Sequence, residues 1–152
     1  MQTVTSKDGT TIAFDQTGSG PVVIPVGGAL QFRALDFGLK QMAEMFAPQF
    51  TVLNYDRRGR GDSSDTQPFS VQREIEDIEA LIDCAGGSAY LFGISSGAAL
   101  AMEAGVALGS KRSRSWRCTK PLTTTTRLLD RHGSNTARNW MNWWHRDAAA
   151  TR

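Results

Sequence analysis

Gly93-Ile94-Ser95-Ser96-Gly97 constrains this chain more than any other stretch. The pentapeptide has the form G-x-S-x-G. It follows a short apolar run, Ala89-Tyr90-Leu91-Phe92, and precedes a run of helix formers, Ala98-Ala99-Leu100-Ala101-Met102-Glu103-Ala104. A strand, a sharp turn and a helix in that order force the central residue into strained backbone angles. Small residues two before and two after it let strand and helix approach closely. Ser95 then projects its hydroxyl from the top of a sheet.

The upstream pattern supplies that sheet. Gln2 to Ser6 and Thr10 to Gln16 read as strands, joined at Asp8-Gly9 into a hairpin. Val22-Val23-Ile24-Pro25-Val26 is a near-continuous apolar run, as in a strand buried on both faces, although Pro25 cannot donate to a ladder. Residues 36–47 place Phe37, Leu39, Met42, Met45 and Phe46 at helical spacing, and Pro48 closes that helix. Phe50 to Tyr55 is a second buried strand, ending in the polar, Gly-rich loop Asp56-Arg57-Arg58-Gly59-Arg60-Gly61-Asp62-Ser63. Val71, Ile75, Ile78, Leu81 and Ile82 form one apolar helix face opposite a charged one, with Ser70 as N-cap and Gly86-Gly87 as stop. The last helix runs from the pentapeptide to about Leu108. A hairpin followed by βαβαβα predicts an α/β fold, with a parallel sheet, right-handed crossovers and helices on both faces.

Three of these segments together resemble the α/β-hydrolase family over residues 1 to about 108. Asp56-x-Arg58-Gly59-x-Gly61-x-Ser63 is similar to the loop after the family's preceding strand. Gly93-x-Ser95-x-Gly97 is similar to its nucleophile elbow. Gly27-Gly28-Ala29, ending a buried strand, sits where the family has His-Gly-x. The resemblance implies that Ser95 is the nucleophile of ester, thioester or amide hydrolysis through an acyl-serine. It also implies an oxyanion hole built from the backbone N–H groups of Ser96 and of Ala29, or of Gly28 in a register one residue earlier. Two such donors stabilise the tetrahedral oxyanion by about 3 kcal/mol each. Gly27 stands where the family has a histidine that is not the catalytic one, so the departure touches the loop's hydrogen bonding. The arginines of the 56–63 loop are expected to tie loops together rather than bind substrate.

Composition divides the chain near Gly109. Residues 1–108 carry 7 Lys and Arg against 13 Asp and Glu, a net −6, whereas residues 109–152 carry 10 against 2, a net +8. All four tryptophans, Trp116, Trp140, Trp143 and Trp144, fall in the second part. The family's acid and histidine follow the nucleophile, on loops after later strands. Here the tail offers Asp130, His132, His145 and Asp147, and residues 109–152 show no β pattern around them. The expected fold is therefore the N-terminal part of an α/β-hydrolase with its C-terminal strands missing. The strand before the elbow would then lie at an exposed sheet edge, a template for self-association.

The tail reads better one base out of frame. Met and Trp have single codons, and Asn codons begin AA and end in a pyrimidine, so Asn139 to His145 shifted by one base is forced to read Leu-Asp-Glu-Leu-Val-Ala, an amphipathic helix sequence. The same shift over Trp116 to Thr125 permits Ala-Met-Tyr-Glu-Ala-Pro-Tyr-Asn-Asp, which resembles the strand and loop after the family's elbow helix. A frame slip near Gly109 is the expectation that follows, with a poorly ordered tail and an inactive or weakly active chain. Two alternatives stay open. The basic, Trp-rich tail can neutralise phosphates and stack on bases, a nucleic-acid-binding segment that is set second. The chain can also be a compact esterase with a rewired triad using His132 or His145. No metal or organic cofactor is expected, and the partner implied is a small ester or amide substrate. With no basic-then-apolar leader and no apolar run near 18 residues, a soluble, cytoplasmic protein is expected, with no membrane partner.

Overall fold

The structure, a computed structural model, describes residues 1–119 and, of these, the side chains of residues 1–113. The elements are β1 (Gln2–Thr5), β2 (Thr11–Thr17), β3 (Val22–Val26), α1 (Phe37–Phe46), β4 (Thr51–Tyr55), α2 (Val71–Cys84), β5 (Ala89–Ile94), α3 (Ser96–Arg112) and β6 (Ser113–Thr119). They form one mixed sheet in the order β1-β2-β4-β3-β5-β6. β1 and β2 are antiparallel, β2 and β4 are antiparallel, and the remaining pairs are parallel.

The hairpin turn closes where Asp8-Gly9 places it. The Thr10 N–H donates to Asp8 Oδ1 at 3.1 Å and the Ser6 N–H to the Thr10 carbonyl at 2.8 Å. Pro25 lies beyond the β3–β4 ladder, which stops at Val23↔Val52, so its missing N–H interrupts no bond to β4, and within the β3–β5 ladder it stands opposite Phe92. α1 is capped by Asp36, which accepts from the Leu39 N–H, and α2 by Ser70, which accepts from the Arg73 N–H.

Alternation along the strands divides the interior into two layers. Ile12, Phe14, Ile24, Val26, Leu53, Tyr55 and Leu91 face the layer built from Ile75, Ile78, Leu81 and Ile82 of α2 and Leu100, Ala101 and Ala104 of α3. Val52 and Asn54 alternate to the opposite face, on which α1 packs against β4. The apolar face expected of α2 is therefore the buried one, except that Val71 stays exposed. The charged face is not a solvent face: Glu74, Glu76 and Asp77 are also buried. None of the helices among the described residues is long and apolar enough to cross a membrane.

The C-terminal end corrects one expectation. α3 breaks at Gly109, whose backbone leaves the helical region at φ 73°, ψ 170°, so the compositional boundary is also a conformational one. The chain then returns as β6, parallel to β5 through Leu91↔Trp116, Phe92↔Arg117, Gly93↔Cys118 and Ile94↔Thr119. β5 is thus an interior strand, not the exposed edge, and the reading of no strand beyond Gly109 fails over residues 113–119. The physical reason is that β pairing is a backbone affair. β5 presents a row of N–H and C=O groups, and a chain returned alongside it by a crossover helix can satisfy them without an apolar alternation of its own. The expectations for Asp130, His132, His145 and Asp147 fall outside the described residues.

Candidate active site

A serine just before a helix is ordinarily a cap, its hydroxyl accepting from a first-turn N–H. Ser95 does not act this way: it precedes α3 but makes no side-chain capping bond. Its backbone instead sits at φ 53°, ψ −122°, and it is the one non-glycine with positive φ among the described residues. Such a conformation costs about 1–3 kcal/mol and persists only where the surroundings impose it. Those surroundings are β5 on one side and α3 on the other, joined with no intervening residue but Ser95. The approach is close enough that only glycine fits. A methyl group on Gly93 would lie 2.3 Å from Ala98 Cα, and one on Gly97 would lie 2.1 Å from the Val26 carbonyl oxygen.

The loop after β3 comes up beside this turn. A methyl group on Gly28 would lie 3.3 Å from both Ser95 Cβ and the Ile94 carbonyl oxygen. The structure therefore brings Gly28 against Ser95, with Ala29 next in the chain and exposed. Ser96 is the first residue of α3, and first-turn N–H groups have no intrahelical acceptor.

Hydrogen bonds pin the loop in detail. The Gly28 N–H donates to Gln31 Oε1, and Gln31 Nε2 donates in turn to Asp36 Oδ2, the residue that caps α1. The Gly27 carbonyl accepts from Arg57 Nη1 at 3.1 Å. The Gly28 carbonyl accepts from Arg60 Nη1 at 2.7 Å and from the Gln31 N–H at 3.3 Å. Gln31 thus supplies the loop's hydrogen bonding next to Gly27. Nothing in the residue pattern marked Gln31, because its partners are a backbone amide and a helix cap.

The 56–63 loop is held by ion pairs. Arg57 makes a two-pronged contact with Glu74, Nε and Nη2 each 2.6 Å from a carboxylate oxygen. Arg58 spans Asp77, Asp8 and the Arg73 carbonyl, and its side chain is 0% exposed. Asp56 accepts from the Arg33 N–H, Arg33 Nε and the Asp62 N–H, and is itself buried. The hydrogen bond from Arg58 holds the Asp8 carboxyl well below the usual carboxylate range, against the opposing effect of burial. Burial, and then the neighbouring charge of Arg57, push Arg60 below the ordinary guanidinium value. A separate open cleft of about 460 Å³ is lined by Asp15, Arg33, Lys40 and Asn54, and by none of Gly28, Ala29, Ser95 or Ser96.

Residues 22–151 match the sequence model of the alpha/beta hydrolase family. An alpha/beta hydrolase from Sphaerobacter thermophilus is 44% identical, with a TM-score of 0.74 over 99% of this chain and 58% of that one. A thermophilic esterase from Thermogutta terrifontis is 24% identical, with a TM-score of 0.67 over 77% of this chain and 44% of that one. An epoxide hydrolase from Vigna radiata is 20% identical, with a TM-score of 0.70 over 91% and 45%. This chain spans between 44% and 58% of the length of these structures. With most of its length matching the family's sequence model and a 44% identical member aligned over 99% of it, the chain belongs to the alpha/beta hydrolase family.

Proposed function

We propose that Ser95 is the nucleophile of an acyl-transfer site that hydrolyses small carboxylic esters, thioesters or amides. The observation that carries this is the positive φ of a serine whose hydroxyl caps nothing, at a strand–helix junction closed by two obligatory glycines. In the step, Ser95 Oγ bonds to the carbonyl carbon as its proton leaves to a base, and the carbonyl electron pair moves onto oxygen. The N–H groups of Ala29 and Ser96 receive that oxyanion. Collapse then expels the alcohol, thiol or amine and leaves the acyl-serine for water to cleave. Gly28 is the weaker choice of donor, because its N–H is already given to Gln31.

A serine without a base is a weak nucleophile at neutral pH. The chain's two histidines, His132 and His145, both lie outside the described residues. The proposal is accordingly that this chain alone labels and turns over slowly. Intact-mass spectrometry after treatment with a fluorophosphonate probe tests the site: one adduct is expected, absent in Ser95→Ala. An adduct of unchanged yield in Ser95→Ala would overturn the assignment. Rapid turnover of a short-chain nitrophenyl ester, lost in Ser95→Ala, would overturn the proposed weak activity. If that turnover also fell in His132→Ala or His145→Ala, a rewired triad would be the better reading.

The frame slip near Gly109 is a second proposal, supported by the break in composition and by the forced out-of-frame reading of Asn139 to His145. Sequencing the coding DNA tests it. An uninterrupted hydrolase continuation after adding or removing one base is expected, and its absence would end the idea.

A further inference from the structure

Two consecutive peptide units form the loop beside Ser95, and the structure treats them differently. In the Gly27–Gly28 unit both polar ends are occupied: the Gly27 carbonyl accepts from Arg57 and the Gly28 N–H donates to Gln31. In the Gly28–Ala29 unit only the carbonyl is occupied, by Arg60 Nη1 at 2.7 Å and by the Gln31 N–H at 3.3 Å. The Ala29 N–H takes no partner among the described residues.

A trans peptide is planar, with its C=O and N–H pointing in opposite directions. The cis bond among the described residues is elsewhere, at Gln67-Pro68, so the Gly28–Ala29 unit is trans. Whatever grips the Gly28 oxygen therefore also sets the direction of the Ala29 N–H. Of its two donors, Arg60 is charged and the nearer, and charge-assisted bonds are about twice as strong as neutral ones. The 57–63 turn fixes Arg60 in its own place through the Arg60 N–H to Arg57 carbonyl bond at 3.1 Å and the Ser63 N–H to Arg60 carbonyl bond at 3.0 Å. Glycine at position 28 has no side chain to resist rotation of that plane, so the plane needs an external hold.

We infer that Arg60 is a positioning residue for the oxyanion hole: its grip on the Gly28 carbonyl aims the free Ala29 N–H toward the oxygen that develops charge beside Ser95. This rests on the acyl-transfer reading of Ser95. Arg60 touches neither substrate nor nucleophile; it acts only through the peptide plane. The consequence is that its loss should disturb one amide, not the whole loop, because Gln31, Asp36 and Arg57 still hold the neighbouring groups.

The test uses the full chain, isotope-labelled, as wild type, Arg60→Ala and Arg60→Lys. In the wild type an NOE is expected between the Ala29 amide proton and the Ser95 β-protons. It should vanish in Arg60→Ala and persist in Arg60→Lys, while the Gly28 amide resonance stays in place. Fluorophosphonate labelling of Ser95 should slow about 10–100-fold in Arg60→Ala and much less in Arg60→Lys. An Ala29 amide unmoved in Arg60→Ala would overturn the inference, since the Gln31 N–H would then suffice. Broad shifts across residues 27–36 would overturn it too, as a general loop-holding role. If the NOE pattern is as expected but wild-type Ser95 never labels, control of the peptide plane by Arg60 stands and the hydrolase reading falls.

Discussion

At the scale of single residues the decisive feature is a serine in a conformation that serines avoid. Ser95 keeps φ at 53° because β5 ends and α3 begins on either side of it. Ser95→Gly should therefore raise stability by about 1 kcal/mol, as the strain of a side chain at positive φ disappears, whereas Ser95→Ala should leave it nearly unchanged. Urea unfolding of both variants checks this, and equal stability of Ser95→Gly and wild type would show that no strain is stored there. Gly97 is the opposite case. A methyl group there would run into the Val26 carbonyl, a backbone atom of the neighbouring strand that can yield only if the sheet or the helix moves. Gly97→Ala should cost about 3 kcal/mol or more in the same measurement, the upper range for overpacking.

At the scale of elements, α2 does two jobs with two faces. Ile75, Ile78, Leu81 and Ile82 fill the core, while Glu74 and Asp77 receive Arg57 and Arg58 from the loop after β4. These pairs are buried, so removing one partner strands a charge away from water. Arg58→Ala should lower stability by about 3–5 kcal/mol, because Asp77 loses its counter-charge and Asp8 keeps only the longer contact with Arg73 at 3.8 Å. The pairs of Arg112 with Glu79 and Asp83 are the control. All three side chains are partly exposed, and Arg112→Ala should cost less than about 1 kcal/mol. Comparable losses in the two variants would show that burial of the Arg58 network carries no special weight.

At the scale of the whole molecule, the Arg58 network links the first hairpin, the 56–63 loop and α2 through Asp8 and Asp77. That link makes global stability acid-sensitive with a definite sign. Asp8 is held below its usual value chiefly by the hydrogen bond from Arg58, so the folded state binds its proton later than the unfolded state. Its contribution is complete above about pH 4 and is lost as the pH falls further. Asp8→Asn should flatten the stability curve below about pH 4 and start from a lower stability at neutral pH. Urea unfolding from pH 7 to pH 2 tests this, and an unchanged slope in the variant would remove Asp8 from the account.

The sequence by itself determined what depends on local periodicity and on glycine: the hairpin at Asp8-Gly9, the three helices with the cap of the second at Ser70, the parallel α/β order, and the elbow at Ser95. Each of these is decided by residues within a few positions of one another. Tertiary structure alone decided where unlike segments meet. It turned the charged side of α2 inward, because Arg57 and Arg58 reach Glu74 and Asp77 across 17 and 19 residues of chain. It placed β6 against β5, because a strand partner is chosen by backbone groups that leave no mark in the side-chain pattern. And it occupied the Gly28 N–H with the side chain of Gln31 while leaving the Ala29 N–H without a partner among the described residues, because Gln31 folds back onto the loop that carries both.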